Sequence, residues 1–252
     1  KSLQKLLRLR INFDFLLYLC EILFMIIESP RLTVNTLGEY LVARPKRQRK
    51  ILQQLKYPKE NTFSASAYKE AREAIKSYFI SGFEEEIIQN CITALQSNLD
   101  SARSDYHENM LNSQIEALEA VLDSDNIDDS FEYIKYEGEN EKMEIEGVEI
   151  SVYPDLIVRS KIRRQKYMGS MKIHLSKSGQ INSDGGEYIA ALLNKYTQEH
   201  IQIPNSFKLR SENSISYDVF SDSFVHCPNS CKRKLDDIVA GCQNIAAIWS
   251  TI

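Results

Sequence analysis

The stretch VYPDLIVRSKIRRQKYMGSMKIHLSK, residues 152–177, decides how this chain is read. Two runs of strand-forming residues flank a basic turn, the pattern of an antiparallel hairpin. Alternation sorts the second run: Met171, Ile173 and Leu175 fall on one face, and Ser170, Lys172, His174 and Ser176 on the other. In the first run Asp155 shares a face with Ile157 and Arg159, opposite Leu156 and Val158. Paired along their length, the runs point Asp155 and Lys172 into one cleft. The hairpin then carries either a site for phosphate chemistry or one wet face, on which Lys172 and His174 simply meet water.

Downstream, GGEYIAALLNKY (185–196) reads as a helix after a glycine pair, and SFKLRSENSISYDVFSDSFVHC (206–227) as further strands with polar turns. CKRKLDDIVAGCQNIAAIW (231–249) closes the chain as an amphipathic helix with Leu235, Ile238, Val239, Cys242, Ala246 and Trp249 on one stripe. Upstream, KMEIEGVEISVYPDLIVRS (142–160) predicts a strand, a turn at Gly147 and one longer strand.

Before the acidic linker at Asp123–Asp129 the pattern is helical. TLGEYLVA (36–43) opens with a capping box, Thr36 to Glu39. Pro45 suits the first turn of a basic helix that runs to about Tyr57. SASAYKEAREAIKSYFISG (64–82) stops at Gly82, and FEEEIIQNCITALQSNL (83–99) and SQIEALEAVL (113–122) keep helical spacing. The expectation is an α/β chain with a helical region over 1–125 and an α/β core over 130–252. Residues 1–24 are expected either to form an amphipathic helix or to lie upstream of a natural start at Met25. Asp14 and Glu21 leave uncharged runs of only six residues there, far short of the roughly 20 that span a bilayer.

A formal net charge of −4 gives no global case for nucleic acid, but the charges are segregated. No acid occurs over 41–59 or over 156–183, both of which are rich in Lys and Arg, while an acidic tract occupies 123–149. Such blocks present a local positive field to phosphates despite the acidic sum. Taken singly, each block is also what an ordinary solvated face looks like. The five cysteines are odd in number and lack a scaffold pattern, which fits a reduced, cytoplasmic protein.

Pro154-Asp155, a loop, a strand reaching Lys172 and then a helix resemble the PD-(D/E)XK nuclease superfamily, over roughly residues 145–220. The resemblance implies an α-β-β-β-α-β core in which an aspartate and a second acid hold Mg²⁺. Ser170 stands where that second acid is expected. A subgroup of restriction endonucleases in the superfamily has serine there and takes its carboxylate from the following helix. Glu187, fifteen positions after Lys172 (187 − 172), matches that placement, with Asp184 as the alternative.

The resemblance thus implies Mg²⁺ or Mn²⁺ on Asp155, Glu187 and the Met171 carbonyl, with Lys172 beside the attacked phosphate. The implied activity is hydrolysis of DNA phosphodiesters, in restriction or anti-phage defence. Arg159, Lys161, Arg163, Arg164 and Lys166, with Arg47 and Lys50, are expected to hold the nucleic-acid backbone. A homodimer, or a protein partner on the helical half, is compatible with this reading. Ser170 equally supports a catalytically inactive nuclease-fold module that binds nucleic acid or a protein partner. Cys227, Cys231 and Cys242 are spaced more widely than the iron–sulfur cysteines of some relatives. A zinc on His226, Cys227 and Cys231 fits no strong template.

Overall fold

Strands that are apolar on both faces need cover on both sides, and this chain supplies it with helices. The computed structural model describes residues 26–58, 65–102, 104–177, 179, 181–229 and 231–252. The expectations for residues 1–24, and Cys20 with them, lie outside the described residues.

The first half runs β1 (Arg31–Thr33), α1 (Val34–Val42), α2 (Pro45–Lys56), α3 (Lys69–Ile80), α4 (Glu85–Leu99) and α5 (Asp105–Leu122). The second runs β2 (Glu132–Lys135), β3 (Lys142–Ile145), β4 (Val148–Ser151), β5 (Leu156–Ile162), β6 (Gln165–His174) and α6 (Ser183–His200). It ends with β7 (Phe207–Leu209), β8 (Ile215–Asp218), β9 (Ser223–His226) and α7 (Cys231–Trp249). The fold is α/β: a helical N-terminal half precedes mixed sheets flanked by helices.

The main sheet has the order β2-β5-β6-β8-β9, with β7 also beside β6. β5 and β6 pair antiparallel with Leu156 opposite Met171 and Ile162 opposite Gln165, and β8 returns parallel to β6 after α6. The predicted alternation is observed. Leu156, Val158, Met171 and Ile173 pack against Ala71, Ile75 and Phe79 of α3, Ile88 of α4 and Leu118 of α5. Ile157 and Met168 pack on the other face with Leu192, Leu193 and Tyr196 of α6. That second core also takes in Leu37 of α1, Leu52 of α2 and Trp249 of α7. Both cores therefore mix residues of the helical half with residues of the sheet.

Several local expectations need correction. Gly147 does make the turn, with Glu146 at φ 51° and Gly147 at φ 74°. The longer strand after it is in fact two: β4 ends at Ser151 and joins β1 and β3 in a separate three-stranded sheet, while β5 starts at Leu156. Pro154 sits in the break, where its missing N–H and fixed φ end a ladder. Strands β1 and β2 were not anticipated from the pattern. The first helix is capped by Thr33, whose Oγ1 accepts the Thr36 N–H, so Thr36 lies inside it. The fifth starts at Asp105 behind a Ser104 cap, well before Ser113. On α7 the buried stripe runs through Ile238, Cys242, Ile245 and Trp249, and Ala246 faces solvent. Among the described residues, no helix is long and apolar enough to cross a membrane.

Candidate active site and a basic pocket

Register alone brings the two motif residues together, because the β5–β6 pairing, continued by one residue, sets Asp155 opposite Lys172. There the ladder ends: the Asp155 N–H donates one residue off that register, to the Met171 carbonyl at 2.8 Å. Lys172 Nζ lies 3.3 Å from Asp155 Oδ2 and donates to the Tyr153 carbonyl at 2.6 Å. The Ile173 N–H donates to Oδ2 at 2.8 Å. From the opposite face, Arg72 of α3 sends Nη1 to both carboxylate oxygens at 3.3 Å and to the Ile173 carbonyl at 2.8 Å. Asp155 is 6 % exposed.

Burial, the largest influence, pushes the Asp155 pKa up; Lys172, Arg72 and the Ile173 N–H overcome it and hold the carboxyl below the usual aspartate range. Burial likewise draws the Lys172 pKa down, against the pull of Asp155. Beside this pair, the His174 ring donates from Nε2 to the Gly179 carbonyl at 2.8 Å, with Asp218 Oδ2 4.0 Å away. Burial lowers the His174 pKa, with Asp218 opposing. Asp218 in turn accepts the Ile181 and Ser221 N–H groups, at 2.6 and 3.2 Å. His174 and Asp218 thus fasten the connection that leads from β6 to α6.

The rest of the expected metal set is not assembled. Glu187 Oε2 is 2.7 Å from Lys234 Nζ of α7, and Asp184 is 3.9 Å from the same ammonium. Helix packing turns both acids toward α7, and neither joins Asp155. The Met171 carbonyl accepts the Asp155 N–H, and among the described residues the contacts on the Asp155 oxygens come from cations and an N–H. Among the described residues, no three His, Cys, Asp or Glu side chains converge as a metal site. As arranged, the residues do not fit Mg²⁺ or Mn²⁺.

Ser170 has a physical explanation. It is fully buried against α6, 2.8 Å from Thr197 Oγ1, whose own hydroxyl donates to the Leu193 carbonyl. A carboxylate at that point would sit in a dry core with no cation beside it.

At the far end of the hairpin the same strand face turns basic. A cavity of about 380 Å³ is lined by Ser130, Glu132, Arg159, Ser160, Lys161, Lys166 and Phe207. Arg159 and Lys166 both lie over the Phe207 ring, 4.8 and 5.6 Å from its centre. The Arg159 Nε is buried with no hydrogen-bond partner among the described residues. Lys161 stands directly opposite Lys166 in the ladder, a like-charge pairing that is unfavourable on its own. Arg163 and Arg164 make the exposed hairpin tip, with Arg163 at φ 56°.

Arg47 and Lys50 do not join this pocket. They belong to α2, where Arg47 is paired with Glu39 of α1, its Nε donating at 2.8 Å.

Arg72, Asp218 and Phe207 were missed from the sequence. Arg72 sits in an ordinary amphipathic run and reaches Asp155 only through tertiary packing, and Phe207 reaches the hairpin through β7, which lies parallel to β6. No family model matches this chain, and no curated protein matches its sequence.

Proposed function

We propose that this chain binds nucleic acid on a restriction-endonuclease-like core, gripping the phosphate backbone at the basic end of the β5–β6 hairpin. The observation that carries the reading is the pocket itself: three cations, two serines and one aromatic ring around a cavity, with Glu132 as its lone acid. The lysines of the Lys161–Lys166 rung repel each other across the ladder until an anion comes between them. Phosphate is that anion, and the partly cation-covered Phe207 offers a surface beside it for a base or sugar. DNA is the expected polymer.

Labelled single-stranded and duplex DNA, followed by fluorescence anisotropy across a salt series, tests this. Binding should weaken steeply with salt. Arg159→Ala, Lys161→Ala and Lys166→Ala together should lower affinity at least about tenfold and cut the log–log salt slope by about one per lost phosphate contact. An unchanged slope in the triple variant rejects the pocket as the phosphate site.

Cleavage of DNA phosphodiesters with Mg²⁺ or Mn²⁺ is the second reading, and the 3.3 Å approach of Lys172 to Asp155 is what favours it. It requires Asp155 to exchange Arg72 for a metal and another carboxylate to reach it. Plasmid incubated with Mg²⁺ or with EDTA, beside Lys172→Ala, decides the matter. Metal-dependent nicking that disappears in the variant supports cleavage, and binding without nicking supports the module.

A further inference from the structure

Where β9 hands the chain to α7, two thiols stand close together in a place that neither the hairpin pair nor the basic pocket uses. Cys227, just past β9, is 1 % exposed, and Cys231, the first residue of α7, is half-buried. Their Sγ atoms are 2.8 Å apart, so less than an ångström separates them from the disulfide bond length of about 2.05 Å. We propose that Cys227 and Cys231 are a reversible oxidation site, closing to an intramolecular disulfide by exchange with a low-molecular-weight disulfide, Cys231 attacking and Cys227 resolving.

The roles follow from the surroundings. Cys231 is the more accessible thiol and opens a helix of 19 residues, whose dipole favours a thiolate at that end. The Cys227 S–H is directed at the Cys231 sulfur, which lowers the Cys231 pKa and raises that of Cys227. Cys231 also lies against the Ala191 carbonyl of α6, at 3.8 Å, so the attacking sulfur is held in one place. Among the described residues no third His, Cys, Asp or Glu side chain converges on the pair, and the His226 Nδ1 is 2.7 Å from the Glu212 carbonyl.

The chemistry balances without an outside electron donor. The Cys231 thiolate attacks one sulfur of RSSR, its S–S bond breaks, and the departing RS⁻ takes up the proton that Cys231 gave up. Cys227 then loses its proton and attacks the Cys231 sulfur of the mixed disulfide. A Cys227–Cys231 bond forms and the second RS⁻ leaves with that proton. Two protein thiols are oxidised and one RSSR becomes two RSH.

Glutathione disulfide is the probe. The full chain is equilibrated over a range of glutathione ratios, quenched in acid, alkylated and digested with trypsin. Both cysteines fall in one peptide, residues 211–232. That peptide should become lighter by two hydrogens and lose both alkylations together, and dithiothreitol should restore them. Cys227→Ser should instead stop at a glutathione adduct on Cys231. Cys231→Ser should slow modification of Cys227 at least about tenfold, because the remaining thiol is buried. Full alkylation of both cysteines after equilibration with excess glutathione disulfide overturns the proposal. So does a wild-type product that rests as the mixed disulfide, or undiminished reactivity of Cys227 in Cys231→Ser.

Discussion

Asp155→Ala is expected to destabilise the fold by roughly 3–5 kcal/mol, the usual cost of removing one partner from a buried ion pair. The carboxylate it deletes is met by the Lys172 ammonium, the Arg72 guanidinium and the Ile173 N–H. Lys172 keeps the Tyr153 carbonyl and Arg72 keeps the Ile173 carbonyl. Neither neutral acceptor balances the charge it meets, and the Lys172 ammonium is the more deeply buried of the two. Lys172→Met placed on top of Asp155→Ala should therefore recover a large part of the loss, since it removes the stranded ammonium. Urea unfolding of the two single variants and the double variant, read as a mutant cycle, measures the coupling. An Asp155→Ala midpoint equal to wild type would mean that the cluster is not engaged in solution.

The pH dependence of that loss has a definite sign. Asp155 is held below its unfolded pKa, so the unfolded chain takes up the proton first as acid is added. Its contribution is complete above the unfolded value, about 3.9 for aspartate, and drains away as the pH falls toward the folded one. The stability gap between wild type and Asp155→Ala should accordingly be widest near neutrality and narrow below about pH 4. Unfolding midpoints measured at neutral and acid pH check this, and a gap that widens in acid contradicts the assigned direction.

What was legible in the sequence is what a short-range rule fixes. A period of two, with an antiparallel hairpin between residues 155 and 172, is enough to set faces and to bring Asp155 to Lys172. The same rule does not see arrivals from elsewhere. Arg72 comes from a helix 83 residues earlier in the chain, and nothing in AREAI distinguishes it from a solvated position. Glu187 was counted toward Asp155 by its spacing from Lys172, but its direction depends on how α6 packs against α7, where Lys234 takes it. Pro154 belongs to the motif and also breaks the ladder, so β4 and β5 are two strands where alternation alone predicts one. The basic residues were visible as charges; that three of them close around Phe207 required β7 to lie beside β6.

Gly169→Ala should be among the most damaging single-methyl changes available to this chain, at least about 3 kcal/mol, the upper part of the range for forcing atoms into a packed interior. A Cβ on Gly169 would overlap the carbonyl carbon and oxygen of Asn213 and come within 2.7 Å of its Cβ. These are mostly backbone atoms, and the 3₁₀ turn over Ser211–Asn213 that carries them has little freedom to retreat. The Arg210 N–H donates to the Met168 carbonyl at 3.1 Å, and the Asn213 side chain donates to Ser160 Oγ at 3.0 Å. Displacing the turn strains both bonds, and with them the seats of Ser160 and β7 at the basic pocket. The variant should therefore lose DNA affinity along with stability, even at low temperature where it remains folded. Gly179→Ala is the control: its Cβ meets first the flexible Ser176 hydroxyl at 3.2 Å, and the expected change is within about 0.5 kcal/mol. Equal urea midpoints for the two variants would show that the turn yields freely, and would separate the close packing at Gly169 from the integrity of the pocket.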